Sequence, residues 1–434
     1  MGMIRSKERT AIIRSLAAGV VPSVGLQHIQ VGRKDEVEAV ITDLKQVEDG
    51  TSSVRFIMGN FGSGKTFFLN LISNVALKRK FAVLRADITT ERRLHGSGGK
   101  ARGLYSELLK NLSTTARPDG GALPSLVERW VGDLDHEIKS SGGTEDDVQT
   151  EIEKQLSQLR SLVNGYEFAK VLSRYYEGFQ QQNDNLQQAA LRWLRAEYST
   201  KTEAREDLGV RSIIDDADFY DSLKLLAAFV RIAGYRGLLI CLDELVVLSH
   251  RLNHTLARNN NYETILTILN DALQGTTEGL AFLFAGTEEC LEDRRRGLFS
   301  YEALETRLAS NRFASTSMRD LTGPVIKLES LTPEDCYVLL HNIRHVFASG
   351  DEKQYLIPDE GIASYLQHCQ QRMGASYYQT PRETVKDFIG LLQILEQHPD
   401  QSWQSLLGQF NQQETQKPSA GNHSRSDDLS EFRL

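Results

Sequence analysis

Residues 59–66 read GNFGSGKT and satisfy G-x-x-x-x-G-K-[ST] at every fixed position. The chemistry this spacing serves is phosphate binding. Gly59, Gly62 and Gly64 let successive backbone N–H groups close around an anion, and a helix starting directly behind them adds the positive end of its dipole. Lys65 supplies an ammonium for the outer phosphates of a nucleoside triphosphate, and Thr66 a hydroxyl for Mg²⁺. The cradle is therefore expected to comprise Gly59, Asn60, Phe61, Gly62, Ser63, Gly64, Lys65 and Thr66, with Phe67 next to it.

A second constellation is the acid pair Asp243 and Glu244, which interrupts the apolar run GLLICLDELVVL (237–248). Burying a carboxylate without a partner is costly, so two acids abutting LLICL call for a function. The expected roles are a carboxylate on Mg²⁺ for Asp243 and polarisation of the attacking water for Glu244. Phosphoryl transfer is governed by positioning and charge neutralisation, and Lys65, Thr66, Asp243 and Glu244 together supply both. Thr287 ends the next apolar run, GLAFLFAGT (279–287). Its hydroxyl suits either of two tasks: bridging the water and the γ-phosphate, or capping the helix EECLE.

Several arginines could complete the site. Arg307 lies in the helical stretch SYEALETRLA (300–309), and Arg294, Arg295 and Arg296 form a closer basic run that could serve the same end or meet nucleic acid. Arg382 follows Pro381 at the start of a late helix. A cation there opposes the helix dipole, which favours a functional reason for it.

These groups need elements to position them. VRFIM (54–58), FAVLRAD (81–87), GLLICLD (237–243), GLAFLFAGT (279–287) and PVIKLES (324–330) read as strands, each followed, directly or after a turn, by helical pattern. Such alternation implies an α/β fold with parallel pairing through right-handed crossovers, and ligand at the carboxyl ends of the strands. Before the first strand, 31–47 reads as a helix turning Val37, Val40, Ile41 and Leu44 inward. ERRLHGSGGKARG (91–103) is a basic, glycine-rich turn, read as a solvated loop ahead of a phosphate-contacting one. From about 112 to 215 the chain is polar and helical, as an insertion would be.

The expected division is a helix and linker over 1–27, a nucleotide-binding core over 28–330 containing that insertion, a helical lid over 331–410, and a disordered tail over 411–434. The formal charge of -8 gives the chain no general attraction to nucleic acid, so DNA binding would need a local patch. Cys241, Cys290, Cys336 and Cys369 are scattered, which suggests neither a zinc site nor a disulfide framework. No run reaches the length of a bilayer span, so a cytoplasmic protein without membrane contact is expected.

The order of these motifs resembles the AAA+ superfamily, nearest its origin-recognition and Cdc6-like clade with the STAND relatives. On that resemblance Val31, Gly32 and Arg33 are similar to the adenine-side motif, GNFGSGKT to Walker A, LLICLDE (238–244) to Walker B and Thr287 to sensor 1. Arg307 is similar to the arginine finger and Arg382 to the sensor 2 arginine. More narrowly, SLAAGVVP, MGNFGSGKTFFL, LHGSGGKARGLYSELL, DRRRGLFSYEALETRLA and TPRETVKDFIGLL resemble the ATP-binding proteins of BREX-type phage-defence systems, the BrxD-like group. The resemblance implies an ATPase using ATP and Mg²⁺ that self-associates through shared nucleotide sites and works with a helicase or other defence components, with DNA as a possible partner. Two departures stand out: about 30 residues follow the lid, leaving no room for a winged-helix domain, and the insertion is larger than the usual AAA+ connection. A nucleotide-gated switch with slow hydrolysis and only protein partners is the alternative. A P-loop kinase of a small metabolite leaves Glu244, Thr287 and Arg382 without a task.

Overall fold

The computed structural model describes residues 4–313, 319–373 and 381–414. It divides into two units, Gln30–Leu331 and Met1–Ile29 with Thr332–Leu434.

The first unit is built on a sheet of five parallel strands: β1 (Ser52–Met58), β2 (Ala82–Asp87), β3 (Leu238–Asp243), β4 (Leu280–Gly286) and β5 (Val325–Lys327), in the order β2-β3-β4-β1-β5. The expected α/β core is present. Every residue of β3 and β4 is buried, as a parallel strand covered on both faces must be. Alternate side chains feed two cores. Phe56, Leu84, Ile240, Leu242, Phe282 and Phe284 enter one, and Ile57, Val83, Leu239, Cys241, Leu283 and Ala285 the other.

The strand order brings distant stretches of sequence to one edge. β4 lies between β1 and β3, so the loop after β1, the acids after β3 and Thr287 after β4 all leave the sheet at neighbouring carboxyl ends. The register aligns Met58 with Gly286 and Asp87 with Asp243.

The segment 112–215 folds into the helices Leu123–Ser140, Glu145–Ser157, Gly165–Gln180, Asp184–Leu194 and Lys201–Leu208. Their apolar faces extend one face of the sheet: Trp130 and Phe168 pack edge-on to Phe229 of the helix Phe219–Ile232, at ring distances of 5.3 and 6.2 Å. The insertion therefore shares the core. In the basic turn, the backbone N–H groups of Gly99 and Arg102, at the start of the helix Lys100–Lys110, are held by the Asp216 carboxylate at 2.7 and 2.9 Å. An anion of the chain itself thus occupies the place a phosphate would take.

In the helix Lys34–Glu48, Val40, Leu44 and Val47 are buried, whereas Val37 and Ile41 are half-buried. The helix also buries two acids, each with a cationic partner. Glu36 faces Arg319 and Arg33, and Asp43 makes a two-pronged bond with Arg55 of β1, at 2.6 and 2.8 Å. Arg55 also donates to the carbonyls of Leu321 and Gly323 ahead of β5. Asp43→Ala would leave a buried guanidinium uncompensated, and is expected to cost about 3–5 kcal/mol. Urea unfolding checks this, and the double variant Asp43→Leu/Arg55→Met should recover much of the loss.

The second unit is helical. Ser6–Ala17, Pro333–Phe347, Asp359–Met373, Pro381–Gln397 and Trp403–Glu414 are its α-helices among the described residues. The N-terminal helix, expected to be a separate lead-in, packs here: Arg9 donates to the Phe347 carbonyl at 2.6 Å, closing the end of Pro333–Phe347, and pairs with Glu396. Residues 411–414, assigned to the expected tail, are helical, and the rest of that tail lies outside the described residues.

Candidate nucleotide site

The loop 59–66 leaves β1 and turns into the helix Lys65–Lys78. Gly62 and Gly64 have φ of 81° and 89°, the left-handed region glycine adopts without strain. Gly59 is glycine for a different reason. A Cβ there would lie 2.5 Å from Ser63 Oγ and 2.6 Å from the Leu328 carbonyl oxygen. The loop thus presses against the chain leaving β5, where Leu328 N–H donates to Met58 at 2.6 Å.

The cradle has the features an anion needs. Among the described residues, no acceptor takes the N–H groups of Gly62, Gly64, Lys65 or Thr66. Ser63 Oγ is buried without a partner, and a Cβ built on Gly64 meets nothing within 4 Å. Lys65 Nζ is parked on the carbonyls of Gly59 and Asn60, each at 2.9 Å, and lies 5.7 Å from the exposed ring of Phe61. Burial pulls this ammonium below the usual lysine range, while the charges of Asp243, Glu244 and Glu288 hold it up. Asn60 is exposed and Phe67 half-buried.

The loop meets the acids directly. Thr66 Oγ1 donates to Asp243 Oδ2 at 2.7 Å, and the other oxygen of Asp243 accepts from the Glu244 N–H at 2.8 Å. Asp243 is buried, and Glu244 has φ of 61°, an uncommon setting for a residue with a Cβ. Partial burial, then the charges of Asp243 and Asp87, push the Glu244 carboxyl above its usual range, against Arg251 and Lys65. Asp87 is raised by burial and by Asp243, with Arg92 opposing.

Asp87 had no place in the sequence reading, although the same signal marks it: an acid ending an apolar strand, FAVLRAD. Arg33 was noted only as part of Val31-Gly32-Arg33. Its guanidinium donates to the carbonyls of Ser63 and Glu329, so it ties that segment to the phosphate loop and to the end of β5. Val31 is half-buried and Gly32 exposed, beside this anchor.

Thr287 is buried, and its hydroxyl oxygen accepts from the Cys290 N–H at 3.2 Å as the cap of Glu288–Glu292. The capping task is thus in place, with the hydroxyl proton left over for a second bond. Arg307, in the helix Glu302–Leu308, donates from Nε to Asn270 Oδ1 at 2.7 Å and from Nη1 to the Ala303 carbonyl at 2.8 Å. Arg294 pairs with Glu305 at 2.7 Å, Arg295 is exposed and Arg296 half-buried. Arg382 belongs to the other unit and is exposed in the first turn of Pro381–Gln397.

All four cysteines are free and buried. Among the described residues, no three His, Cys, Asp or Glu side chains are placed to hold a metal together, and no helix is long and apolar enough to cross a membrane. The hydroxyl of Thr66 and the carboxylate of Asp243 fit a magnesium ion as partial donors, and they are the residues that would hold one.

No curated protein matches the chain. A solved structure of the Aeropyrum pernix ORC2 protein, in ADPNP–ADP complexes, is 13% identical over 95% of this chain and 73% of that one, with a TM-score of 0.43, a likeness too slight to carry an argument. The family described as BREX system ATP-binding protein BrxC/D matches residues 4–411, nearly the whole chain. The chain belongs to that family, a nucleotide-binding group of a defence system, and its residues 59–66 lie at the carboxyl edge of a five-stranded parallel α/β sheet.

Proposed function

We propose that the protein hydrolyses ATP at the carboxyl edge of β1, β3 and β4, as a self-associating ATPase that loads or regulates a partner of its defence system on DNA. The observation that carries the reading is the 2.7 Å bond from Thr66 to Asp243. It joins two motifs 177 residues apart, bringing together the hydroxyl and the carboxylate that a magnesium ion would need. When bound, Mg²⁺ would neutralise charge on the outer phosphates. Thr66 and Asp243 would hold it, Lys65 would serve the outer phosphates, and the vacant N–H groups of the loop would bind the rest.

Glu244 is the residue that orients and deprotonates the attacking water, and Thr287 has a spare proton for the same water or the γ-phosphate. Arg307 has the properties of a finger donated to a neighbouring subunit's site, because neutral acceptors fix it and leave its charge intact. Arg382 and, for the adenine, Val31 and Gly32 are the remaining residues assigned to the nucleotide.

The segment 112–215 holds 18 Asp and Glu against 12 Lys and Arg, so contact with DNA falls to other surfaces. Isothermal calorimetry with ATP and a phosphate-release assay test the reading. Lys65→Ala is expected to weaken ATP binding by at least about tenfold, given charge-assisted bonds of about 1.5–3 kcal/mol; unchanged affinity would remove the cradle assignment. Turnover stimulated by duplex or single-stranded DNA would support a loader, and turnover indifferent to both would favour a nucleotide-gated switch.

A further inference from the structure

Directly after Glu244 the chain forms a π-helical turn, Val247–Arg251, before the helix Thr255–Gln274. π-turns are uncommon and recur at functional sites. This one is fastened to the end of β4 and to the segment that follows Thr287. At its near end, Leu245 N–H donates to the Ala285 carbonyl at 2.9 Å, and Leu245 packs so closely on Gly286 that a Cβ there would lie 3.2 Å from its own Cβ. At its far end, His250 Nε2 faces Glu289 Oε1 at 3.3 Å and Asp293 Oδ2 at 3.7 Å, while Nδ1 shares a 2.7 Å bond with Ser249 Oγ. Ser249 is fully buried and donates to the Val246 carbonyl at 3.0 Å. From behind, the buried Arg258 holds the Leu252 carbonyl at 3.2 Å.

Resting on the reading of Glu244 as the water-orienting carboxylate, we infer that His250 is a positioning residue for hydrolysis: it latches the π-turn that carries Glu244 to the helix that Thr287 caps. A residue with a Cβ stays at φ of 61° only while its surroundings over-determine it. The backbone bond at Leu245 fixes one end of the turn; at the other, Arg258 holds the Leu252 carbonyl and the imidazole ties the turn to the segment after Thr287. Its two carboxylate partners sit on and just beyond the five-residue helix Glu288–Glu292, so the same contact orients the stretch leading from Thr287 to Arg294. Without it, Glu244 is free to relax away from the water, whereas the phosphate loop, which His250 does not touch, keeps its affinity.

The test is steady-state hydrolysis and ATP calorimetry on the full-length wild-type chain, His250→Ala, His250→Gln and the double variant Glu289→Gln/Asp293→Asn, with thermal melting as a check on folding. His250→Ala should lower kcat by at least about tenfold, the scale of small misplacements at a reacting centre, with ATP affinity within about twofold of wild type. His250→Gln, which keeps a donor towards the carboxylates, should recover most of the rate, and the double variant should match His250→Ala. A kcat for folded His250→Ala within twofold of wild type, or a loss of affinity that accounts for the fall in rate, would overturn the latch. Should His250→Ala not fold, the double variant decides by the same criteria. A wild-type chain that binds ATP without turnover overturns the hydrolase reading, and the latch with it, a result distinct from an active wild type with an unaffected variant.

Discussion

Glu244→Gln is expected to bind ATP as the wild type does and to hydrolyse it about 10²–10⁴ times more slowly, the range that a positioned general base supplies. The amide has nearly the shape of the carboxylate but cannot take a proton from water. On the proposed reading binding is spared, because the loop and Lys65 serve the phosphates, Thr66 and Asp243 would hold Mg²⁺, and the bond from Glu244 to Asp243 comes from its backbone N–H, which glutamine keeps. Loss of a negative charge beside Asp87 and Asp243 relieves mutual repulsion, so thermal stability should hold or rise. Normal phosphate release from this variant would show that another group activates the water. Asp87, aligned with Asp243 across the β2–β3 pair, would then be the next carboxylate to test.

Arg307→Ala is expected to reduce turnover by about 10³–10⁵ with ATP still bound, the range measured for arginine fingers. The choice among the arginines follows from their partners. Arg294 is spent on Glu305, whereas Arg307 is held by the neutral groups of Asn270 and Ala303 and pairs with no carboxylate among the described residues. A guanidinium fixed in this way keeps its charge for an anion and loses little freedom on meeting it. Arg294→Ala serves as the control, with turnover near wild type. On the proposed reading the finger serves a neighbour's site, so mixing Arg307→Ala with Glu244→Gln should restore some activity, since a mixed pair can form one site with both residues intact. Arg307→Ala turning over at the wild-type rate would end the assignment, and mixtures as inactive as their parents would argue against donation between subunits.

Much of the core could be read along the chain. A phosphate loop is contiguous, so eight residues and their flanks announce it, and the first four strands declared themselves by short apolar runs. The acids at 243 and 244 were conspicuous because nothing else about LLICL tolerates charge. Where the reading fell short, the deciding partner was remote. Asp216 caps the helix after the basic turn from 117 residues away, and the N-terminal helix joins the unit that begins at Thr332 through Arg9. Val37 and Ile41 are only half-buried because Glu36 and Asp43 take part of the inner face, and burying those acids depends on Arg319 and Arg55.

Residue order alone determined the cradle, the acid pair and the parallel α/β class, since each is a local pattern whose chemistry is complete within a few neighbours. Tertiary structure alone decided that Thr66 bonds Asp243, that Asp87 shares their electrostatics, that Thr287 is already a cap, that Arg307 meets no carboxylate among the described residues and that His250 grips two carboxylates. Those facts follow from strand order and register, which set distances through space between residues that the chain separates, and such distances have no imprint in local periodicity.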